Sequence, residues 1–300
     1  MMSVEAEWIA VDWGTSRLRA WAMQGERVLD RAQSEDGMAR VAAGGFEAAL
    51  LALVEPWLGT APVDVLACGM VGARRGWVGA LCAAFPATPQ DLALGRVPAT
   101  TPRLRAFVTP GLKQAKPADV MRGEETQIAG YLAGNPHWDG VICLPGTHTK
   151  WVHASAGEVI SFQTCLSGEM FDLLSNASVL RHSIGTGFDM GAFDQAVEDG
   201  LSRPERLAAR LFGLRARDLL EGVPPDSTRA ELSGLLIGAE LAASKPHWLG
   251  QEVVLIGSEQ LAPLYARALE RQGVPVKSAN AEAMTLAGLC AVRARQQVQA

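Results

Sequence analysis

Two segments of this chain, offset by 132 residues, read as the same strand–turn–strand unit. Residues 12–21, DWGTSRLRAW, and residues 143–151, CLPGTHTKW, each carry a Gly-Thr turn between apolar strands. The order strand, Gly-Thr turn, strand, Gly-Glu turn, strand occurs in both copies, which predicts a duplication with a boundary near residues 135–139. Aligned without gaps, residues 8–38 and 140–170 are identical at six of 31 positions: Gly14/Gly146, Thr15/Thr147, Ala22/Ala154, Gly25/Gly157, Glu26/Glu158 and Met38/Met170.

Strand and helix patterns alternate along the chain, which predicts an α/β fold. Apolar residues at helical spacing predict a helix over 46–58, and a helix is also predicted over 119–134. Segment 86–118, rich in Pro and Thr, is predicted to be irregular. Strands are predicted over 8–11, 18–23, 25–30, 63–68 and 140–144.

Charge and cysteine content exclude several classes of function. The 27 basic and 32 acidic side chains give a net charge of -5, which argues against nucleic acid as the main partner. The five cysteines form no C-x-x-C pair, as expected for buried thiols in a reducing compartment. The N-terminus lacks the pattern of a signal peptide, and no apolar run approaches the ~20 residues of a membrane span. We therefore expect a cytoplasmic protein.

Both Gly-Thr turns have the composition of an anion cradle. Backbone amides and hydroxyl groups in such a turn can hold phosphate oxygens, and glycine lets the phosphate approach the backbone. Asp12 precedes the first turn, where its carboxylate can hold Mg²⁺ that bridges phosphate oxygens. The second turn lacks a carboxylate, so we expect it to contribute donors only. The predicted phosphate-binding residues are Gly14, Thr15, Ser16, Gly146, Thr147 and Thr149.

These turns resemble the two phosphate motifs of the actin/hexokinase/Hsp70 ATPase superfamily. Residues 253–261, VVLIGSEQL, are similar to the superfamily's adenosine motif, which implies that Gly257 and Ser258 bind adenosine. The resemblance implies two ribonuclease-H-like lobes around a cleft, formed by residues 1–137 and 138–300. The last helix, about 281–297, would return to the first lobe. There is no Walker motif and no dinucleotide-binding G-x-G-x-x-G.

Six blocks narrow the resemblance to the 2-dehydro-3-deoxygalactonokinase family. That family phosphorylates 2-keto-3-deoxygalactonate at O6 with ATP in galactonate catabolism, which implies ATP and Mg²⁺ as cofactors here. The blocks are the two turns and the segments GMVGARRGW (69–77), VMRGEETQI (120–128), SGEMFDLL (167–174) and LSGLLIGAEL (232–241).

Transfer to a sugar hydroxyl needs an acceptor for the hydroxyl proton. Glu124 opens a predicted helix about twenty residues before the second turn. Xylulokinase-type and glycerol-kinase-type enzymes are similar in carrying a G-D ahead of this turn, and exopolyphosphatases in carrying a Glu-Glu-Ala helix start. We therefore interpret Glu124 and Asp12 as the catalytic residues, with Glu125 as the alternative to control for.

The acceptor carries a carboxylate and hydroxyl groups, and arginine can bind both oxygens of a carboxylate. We expect Arg74 and Arg122 to bind the carboxylate, Trp77 to wall the pocket and Glu169 to bind sugar hydroxyls. Asp189, in the Gly-rich segment 185–191, is a further candidate.

Two alternatives stay open at this stage: an exopolyphosphatase-like phosphohydrolase, and a non-catalytic nucleotide-gated binding protein. For partners we expect the sugar acid and ATP, no nucleic acid and no membrane, and we include a homodimer among the expected assemblies.

Overall fold

A computed structural model describes residues 4–79, 82–84, 86–98 and 101–299. The chain divides into two compact units. Unit 1 comprises residues 1–139, 154–161 and 280–300, and unit 2 comprises residues 140–153 and 162–279. Among the described residues, no helix is long and apolar enough to cross a membrane.

Unit 1 is built on a six-stranded mixed sheet of order β3-β2-β1-β4-β7-β6. Strand β1 pairs antiparallel with β2 and parallel with β4, and β4 pairs parallel with β7. The strands are β1 (Trp8–Trp13), β2 (Leu18–Gln24), β3 (Arg27–Ser34), β4 (Val63–Gly69), β5 (Ala83–Ala84), β6 (Gly95–Arg96), β7 (Leu104–Val108), β8 (Leu112–Ala115) and β9 (Ala118–Met121); β5, β8 and β9 form a small separate sheet.

The helices of unit 1 cover both faces of its large sheet. Helix α1 (Phe46–Val54) packs on one face, and α9 (Ala281–Gln299) packs on the other, beside α2 (Glu124–Gly134). Because β1 alternates between these faces, Asp12 follows Trp8 and Ala10 on the side of α9.

Most of a five-stranded sheet of order β12-β11-β10-β13-β14 belongs to unit 2, while residues 154–161 and Asn280, at the ends of its strands, are counted with unit 1. This order repeats the β3-β2-β1-β4 arrangement of unit 1, with the fourth strand of each repeat parallel to the first. The elements are β10 (Gly140–Leu144), β11 (Thr149–Ser155), β12 (Glu158–Cys165), β13 (Val253–Gly257) and β14 (Val276–Asn280), with helices α3 (Ser167–Asn176), α4 (Met190–Ser202), α5 (Leu207–Glu221), α6 (Pro225–Ala243), α7 (Lys245–Trp248) and α8 (Ala262–Glu270). The prediction of an α/β fold is confirmed.

Two local predictions were wrong. The helix predicted over 119–134 begins only at Glu124, and residues 119–121 instead belong to strand β9, which pairs with β8 in a hairpin. Within the segment predicted to be irregular, β7 is an inner strand of the large sheet, with Leu104, Ala106 and Val108 buried. Both strands are only four or five residues long, so tertiary pairing rather than a long period defines them.

Candidate active site

The first Gly-Thr turn in unit 1 connects β1 to β2. The Gly14 amide donates to the Arg17 carbonyl over 2.9 Å and closes the turn, while Thr15 and Ser16 stay exposed. A Cβ on Gly14 would meet only that carbonyl, at an ordinary 3.5 Å. The fold itself therefore does not demand glycine here, and the predicted requirement depends on a bound phosphate.

Asp12, near the end of β1, forms an ion pair with Arg19, a residue that the sequence patterns did not single out. Arg19 donates from Nη2 to Asp12 Oδ2 over 2.5 Å. The Nε atom of Arg19 is buried and has no hydrogen-bond partner among the described residues. Burial raises the pKa of Asp12, Arg19 opposes that shift, and the charge of Glu282 on α9 adds to it. The sequence signal for Arg19 was its place in β2, paired directly opposite Asp12.

Two glycines with positive φ bring the start of α2 against the end of β4. Gly69 has φ +88°, and a Cβ there would lie 2.7 Å from the Trp13 carbonyl and 3.3 Å from Asp12 Oδ1. Gly123 has φ +106°, and its Cβ would lie 3.3 Å from the Gly69 Cα. L side chains rarely adopt such φ values, so glycine allows both the bends and the close approach. As a result, Asp12 and the Glu124–Glu125 pair lie in one region of unit 1.

The two glutamates bond to the backbone that precedes them, but their surroundings differ. Glu124 is half-buried, and its Oε2 accepts from the Arg122 amide over 2.9 Å. Glu125 is 1% exposed, and its Oε2 accepts from the Gly123 amide over 2.6 Å. Burial, with the neighbouring charge of Glu124, raises the pKa of Glu125 to about 8. Glu124 is thus the more accessible of the two carboxylates.

The residues predicted to bind the sugar acid lie in different settings. Arg74 is exposed in a tight turn, while Trp77 packs edge-on against Trp13, with ring centroids 6.1 Å apart. Arg122 precedes the Gly123 bend, and its Nη2 contacts Cys82 Sγ at 3.0 Å. Trp77 and Arg122 are therefore tied to unit 1 beside the region of Asp12 and Glu124, whereas Glu169 belongs to unit 2.

The second Gly-Thr turn, in unit 2, packs on the first turn of α3. The Glu169 amide donates to the Thr147 carbonyl over 2.9 Å, as the Ala39 amide does to the Thr15 carbonyl over 3.0 Å in unit 1. Both turns are thus bound by the segment that follows the third strand of their repeat. The Glu169 carboxylate pairs with the His148 ring, Oε2 to Nε2, over 2.5 Å.

Thr149 points into the interior of unit 2. Its hydroxyl lies 3.0 Å from the Tyr265 hydroxyl, which donates to Glu240 Oε2 over 3.0 Å. Trp151 donates to the other oxygen of Glu240 over 2.8 Å. Burial raises the pKa of Glu240, and the hydrogen bonds that its carboxyl accepts from Trp151 and Tyr265 oppose that shift. Contact between the Thr149 hydroxyl and a phosphate would require its bond to Tyr265 to break.

A cavity of about 480 Å³ opens beside the second turn, within unit 2. Its lining includes the turn residues Gly146 and Thr147, and its walls are mostly apolar. The lining side chains that the sequence patterns did not single out include Phe171, Phe188, Met190, Arg229, Gln260 and Leu261. Arg229 lies over the Phe171 ring, with Cζ 5.1 Å from the centroid. A flat aromatic group of nucleoside size fits this combination of volume, aromatic rings and a cation.

Loop 185–189 is fixed on both sides of Phe188. The Gly187 amide donates to Asp226 Oδ1 over 2.8 Å, and Ser227 donates to Asp189 Oδ2 over 2.8 Å. Asp189 also caps α4 by accepting from the amides of its first turn. Hydrogen bonds from Ser227 and these amides lower the pKa of Asp189. The arrangement gives Asp189 a structural role and presents Phe188, 37% exposed, at the cavity.

Gly257 is the last residue of β13, and Ser258 begins the turn between β13 and α8. A Cβ on Gly257 would approach Pro145 at 3.3 Å, and Ser258 Oγ accepts from the Leu261 amide over 3.2 Å. Ser258 therefore shapes the turn that leads to the cavity-lining Gln260 and Leu261.

The described residues contain no cluster of three His, Cys, Asp or Glu side chains that could hold a metal. Mg²⁺ often binds proteins through one or two carboxylates and keeps several waters. A single strand-end carboxylate beside a Gly-Thr turn fits that donor set, and Asp12 is such a carboxylate.

Comparison with known proteins connects these features to one enzyme family. A model of the 2-keto-3-deoxy-galactonokinase family matches residues 12–292. The chain is 36% identical over 299 residues to a Rhizobium meliloti (strain 1021) protein named a probable 2-dehydro-3-deoxygalactonokinase, covering 97% of each chain. It is 34% identical over 292 residues to the 2-dehydro-3-deoxygalactonokinase of Escherichia coli (strain K12), covering 95% of this chain and 96% of that one.

Solved structures agree with this relationship. A crystal structure from Sinorhizobium meliloti, described as a 2-dehydro-3-deoxygalactonokinase protein, superposes with a TM-score of 0.86 at 37% identity over 95% of each chain. The activator of 2-hydroxyisocaproyl-CoA dehydratase from Clostridium difficile superposes with a TM-score of 0.56 at 12% identity, covering 97% of this chain and 96% of that one. The second likeness concerns the fold alone.

Proposed function

The chain belongs to the 2-keto-3-deoxygalactonokinase family, and from that premise we propose that it transfers the γ-phosphoryl group of ATP to the O6 hydroxyl of 2-dehydro-3-deoxy-D-galactonate. The observation that carries the proposal is similarity over nearly the whole chain to proteins named for this reaction. The actin-like ATPase fold and kinase membership imply ATP as the phosphoryl donor. They favour a kinase over a phosphohydrolase or a nucleotide-gated binding protein.

A coupled assay of ADP release tests the proposal. With ATP and Mg²⁺, 2-dehydro-3-deoxy-D-galactonate should give rapid turnover and a product phosphorylated at O6, identified by phosphorus NMR. Absence of product with every 2-keto-3-deoxy acid tested would overturn the substrate assignment. Phosphate release without any acceptor would instead favour the phosphohydrolase.

The proposed chemistry in unit 1 depends on Asp12 and Glu124. Asp12 would hold Mg²⁺, which when bound neutralises charge on the phosphate oxygens. Glu124 would accept the proton of the attacking hydroxyl, because its carboxylate is half-buried and anchored through one oxygen by the Arg122 amide. Gly14, Thr15 and Ser16 would donate to phosphate.

The sugar acid would bind through Arg74 and Arg122 at its carboxylate, Trp77 at its carbon chain and Glu169 at its hydroxyl groups. Glu169 would first exchange its bond with His148 for a bond to substrate. We also propose that the chain divides into two lobes, residues 1–137 and residues 138–300.

The nucleoside would occupy the cavity of unit 2. Its position beside Gly146 and Thr147 would place the phosphates on the second turn, where Thr149 is also proposed to contribute. Gly257 and Ser258 would shape the side of the cavity next to Gln260 and Leu261. Phe171 and Phe188 would contact the base.

Replacing Phe188 with alanine should raise the KM for ATP about 10-fold and leave the KM for the sugar acid unchanged. The reason is the loss of one aromatic contact with the base, which contributes about 1.4 kcal/mol. Steady-state kinetics with each substrate varied in turn measure both constants. Leu249→Ala is the control, because Leu249 is also a large apolar residue of unit 2, is 60% exposed and does not line the cavity. Equal KM values for the two variants would remove Phe188 from the nucleoside site.

A homodimer and a cytoplasmic location complete the proposal. The five cysteines are all free, as suits a reducing compartment.

Helix α5 exposes Phe212, Leu219 and Leu220 to 68%, 67% and 84%, which supports a subunit contact in the proposed homodimer. Light scattering after size exclusion should give a mass near twice 31.8 kDa, and Leu220→Asp should shift it to one chain. A monomeric wild-type protein would contradict the dimer.

A further inference from the structure

The side chain of Glu125 ends in a fully buried carboxyl group that takes no part in the proposed reaction. Beside the Gly123 amide, its neighbours are two hydroxyl groups. Thr109 Oγ1 lies 3.4 Å and Thr126 Oγ1 lies 3.2 Å from Glu125 Oε1. Thr109 follows β7, so the carboxyl connects the end of an inner strand to the first turn of α2. Buried polar groups satisfied in this way rigidify the segments that they join.

The segment that Glu125 holds is the Gly123 bend. The first amides of a helix have no partner within the helix, and here Glu125 accepts from the amide that precedes α2. The bend also approaches the Gly69 Cα, next to Asp12. Any movement of Gly123 would therefore displace the adjacent Glu124 relative to the end of β1.

The surroundings of Glu125 are poorly suited to a base that must reach a substrate. Its side chain is closed from solvent, and both oxygens are engaged by groups of unit 1. Burial raises its pKa to about 8, so the carboxyl is mostly protonated at neutral pH. A neutral carboxyl can still accept from the Gly123 amide through one oxygen while its hydroxyl meets a threonine.

We propose that Glu125 is a positioning residue that fixes the Gly123 bend and thereby holds the Glu124 carboxylate at the Asp12 end of β1. The inference rests on the proposed function for the proton-accepting role of Glu124. The structural part, that the Glu125 carboxyl orders residues 122–126, stands on the contacts of unit 1 alone.

The test compares Glu125→Gln with Glu125→Ala in the full-length protein. Glutamine keeps an acceptor for the Gly123 amide and a donor for the threonines, so kcat should stay within about 3-fold of wild type. Alanine removes both, and kcat should fall about 10²-fold at unchanged KM for ATP, because a shift of about 1 Å in a reacting group has that effect. Hydrogen exchange of amides 122–126 should quicken in the alanine variant only.

Several results would overturn the inference. If Glu125→Gln is as inactive as Glu124→Gln, Glu125 itself accepts the proton. If Glu125→Ala retains the wild-type kcat, Glu125 does not position Glu124. If the alanine variant does not fold, Thr109→Val carries the test: kcat should fall several-fold at unchanged KM, and an unchanged kcat would contradict the inference.

Hydrogen exchange separates this inference from the proposed function. Faster exchange at 122–126 in Glu125→Ala, combined with full activity in Glu124→Gln, would support the ordering role and reject Glu124 as base. Unchanged exchange in Glu125→Ala would reject the ordering role whatever the activity.

Discussion

Replacing Glu124 with glutamine should lower kcat about 10³-fold while the KM for ATP and the affinity for ADP stay within about 2-fold of wild type. General bases contribute about 10²–10⁴-fold, and an amide cannot accept the proton of the attacking hydroxyl. Glutamine retains the oxygen that accepts from the Arg122 amide, so the start of α2 should remain in place. The loss would then be chemical and not structural.

Single-turnover phosphoryl transfer, measured with sugar acid and ATP both saturating, tests this expectation. Glu124→Asp keeps a carboxylate but shortens its reach, so about 10²-fold of the rate should be lost through misplacement. Glu125→Gln is the matched control, since it alters a neighbouring glutamate of the same helix turn. Wild-type turnover in Glu124→Gln would remove this residue from proton transfer.

The fold could be inferred from sequence because its signal is repeated. Alternating strands and helices predicted an α/β fold, and the two Gly-Thr turns predicted a duplicated strand–turn–strand unit. The observed sheets share the order third, second, first, fourth. The short strands β7 and β9 were not found, because four or five residues cannot display a period against Pro-rich and Gly-rich surroundings. Strand β7 is defined by its pairing with β4, which is distant in sequence, and β9 by its hairpin with β8.

The candidate site residues are visible in the sequence to different degrees. Asp12 and Glu124 stand next to glycine motifs, so the local pattern of residues is enough to make them candidates. Arg19 was missed because its importance comes from cross-strand pairing with Asp12, which local spacing does not reveal. Phe171 and Phe188 were missed for a similar reason, since they converge from segments seventeen residues apart onto one cavity.

Replacing Asp12 with asparagine should lower kcat/KM about 10³-fold and raise the Mg²⁺ concentration for half-maximal activity at least about 10-fold. Asparagine keeps the shape of the side chain but loses the charge that would hold the metal, and electrostatic stabilisation of the transferring phosphoryl group contributes on this scale. The change also releases Arg19 from its ion pair. Because the arginine is partly exposed, we expect only a modest loss of stability, under about 1 kcal/mol.

Two measurements separate the loss of metal from the loss of the ion pair. Mn²⁺ binding in the presence of ADP, followed by electron paramagnetic resonance, should weaken in Asp12→Asn but not in Arg19→Gln. Asp64→Asn is the matched control, because Asp64 lies on the adjacent strand β4 and also pairs with an arginine, Arg105, over 2.6 Å. If Asp12→Asn binds Mn²⁺ as tightly as this control does, the metal lies elsewhere. The Asp12–Arg19 pair would then act by orienting the first Gly-Thr turn.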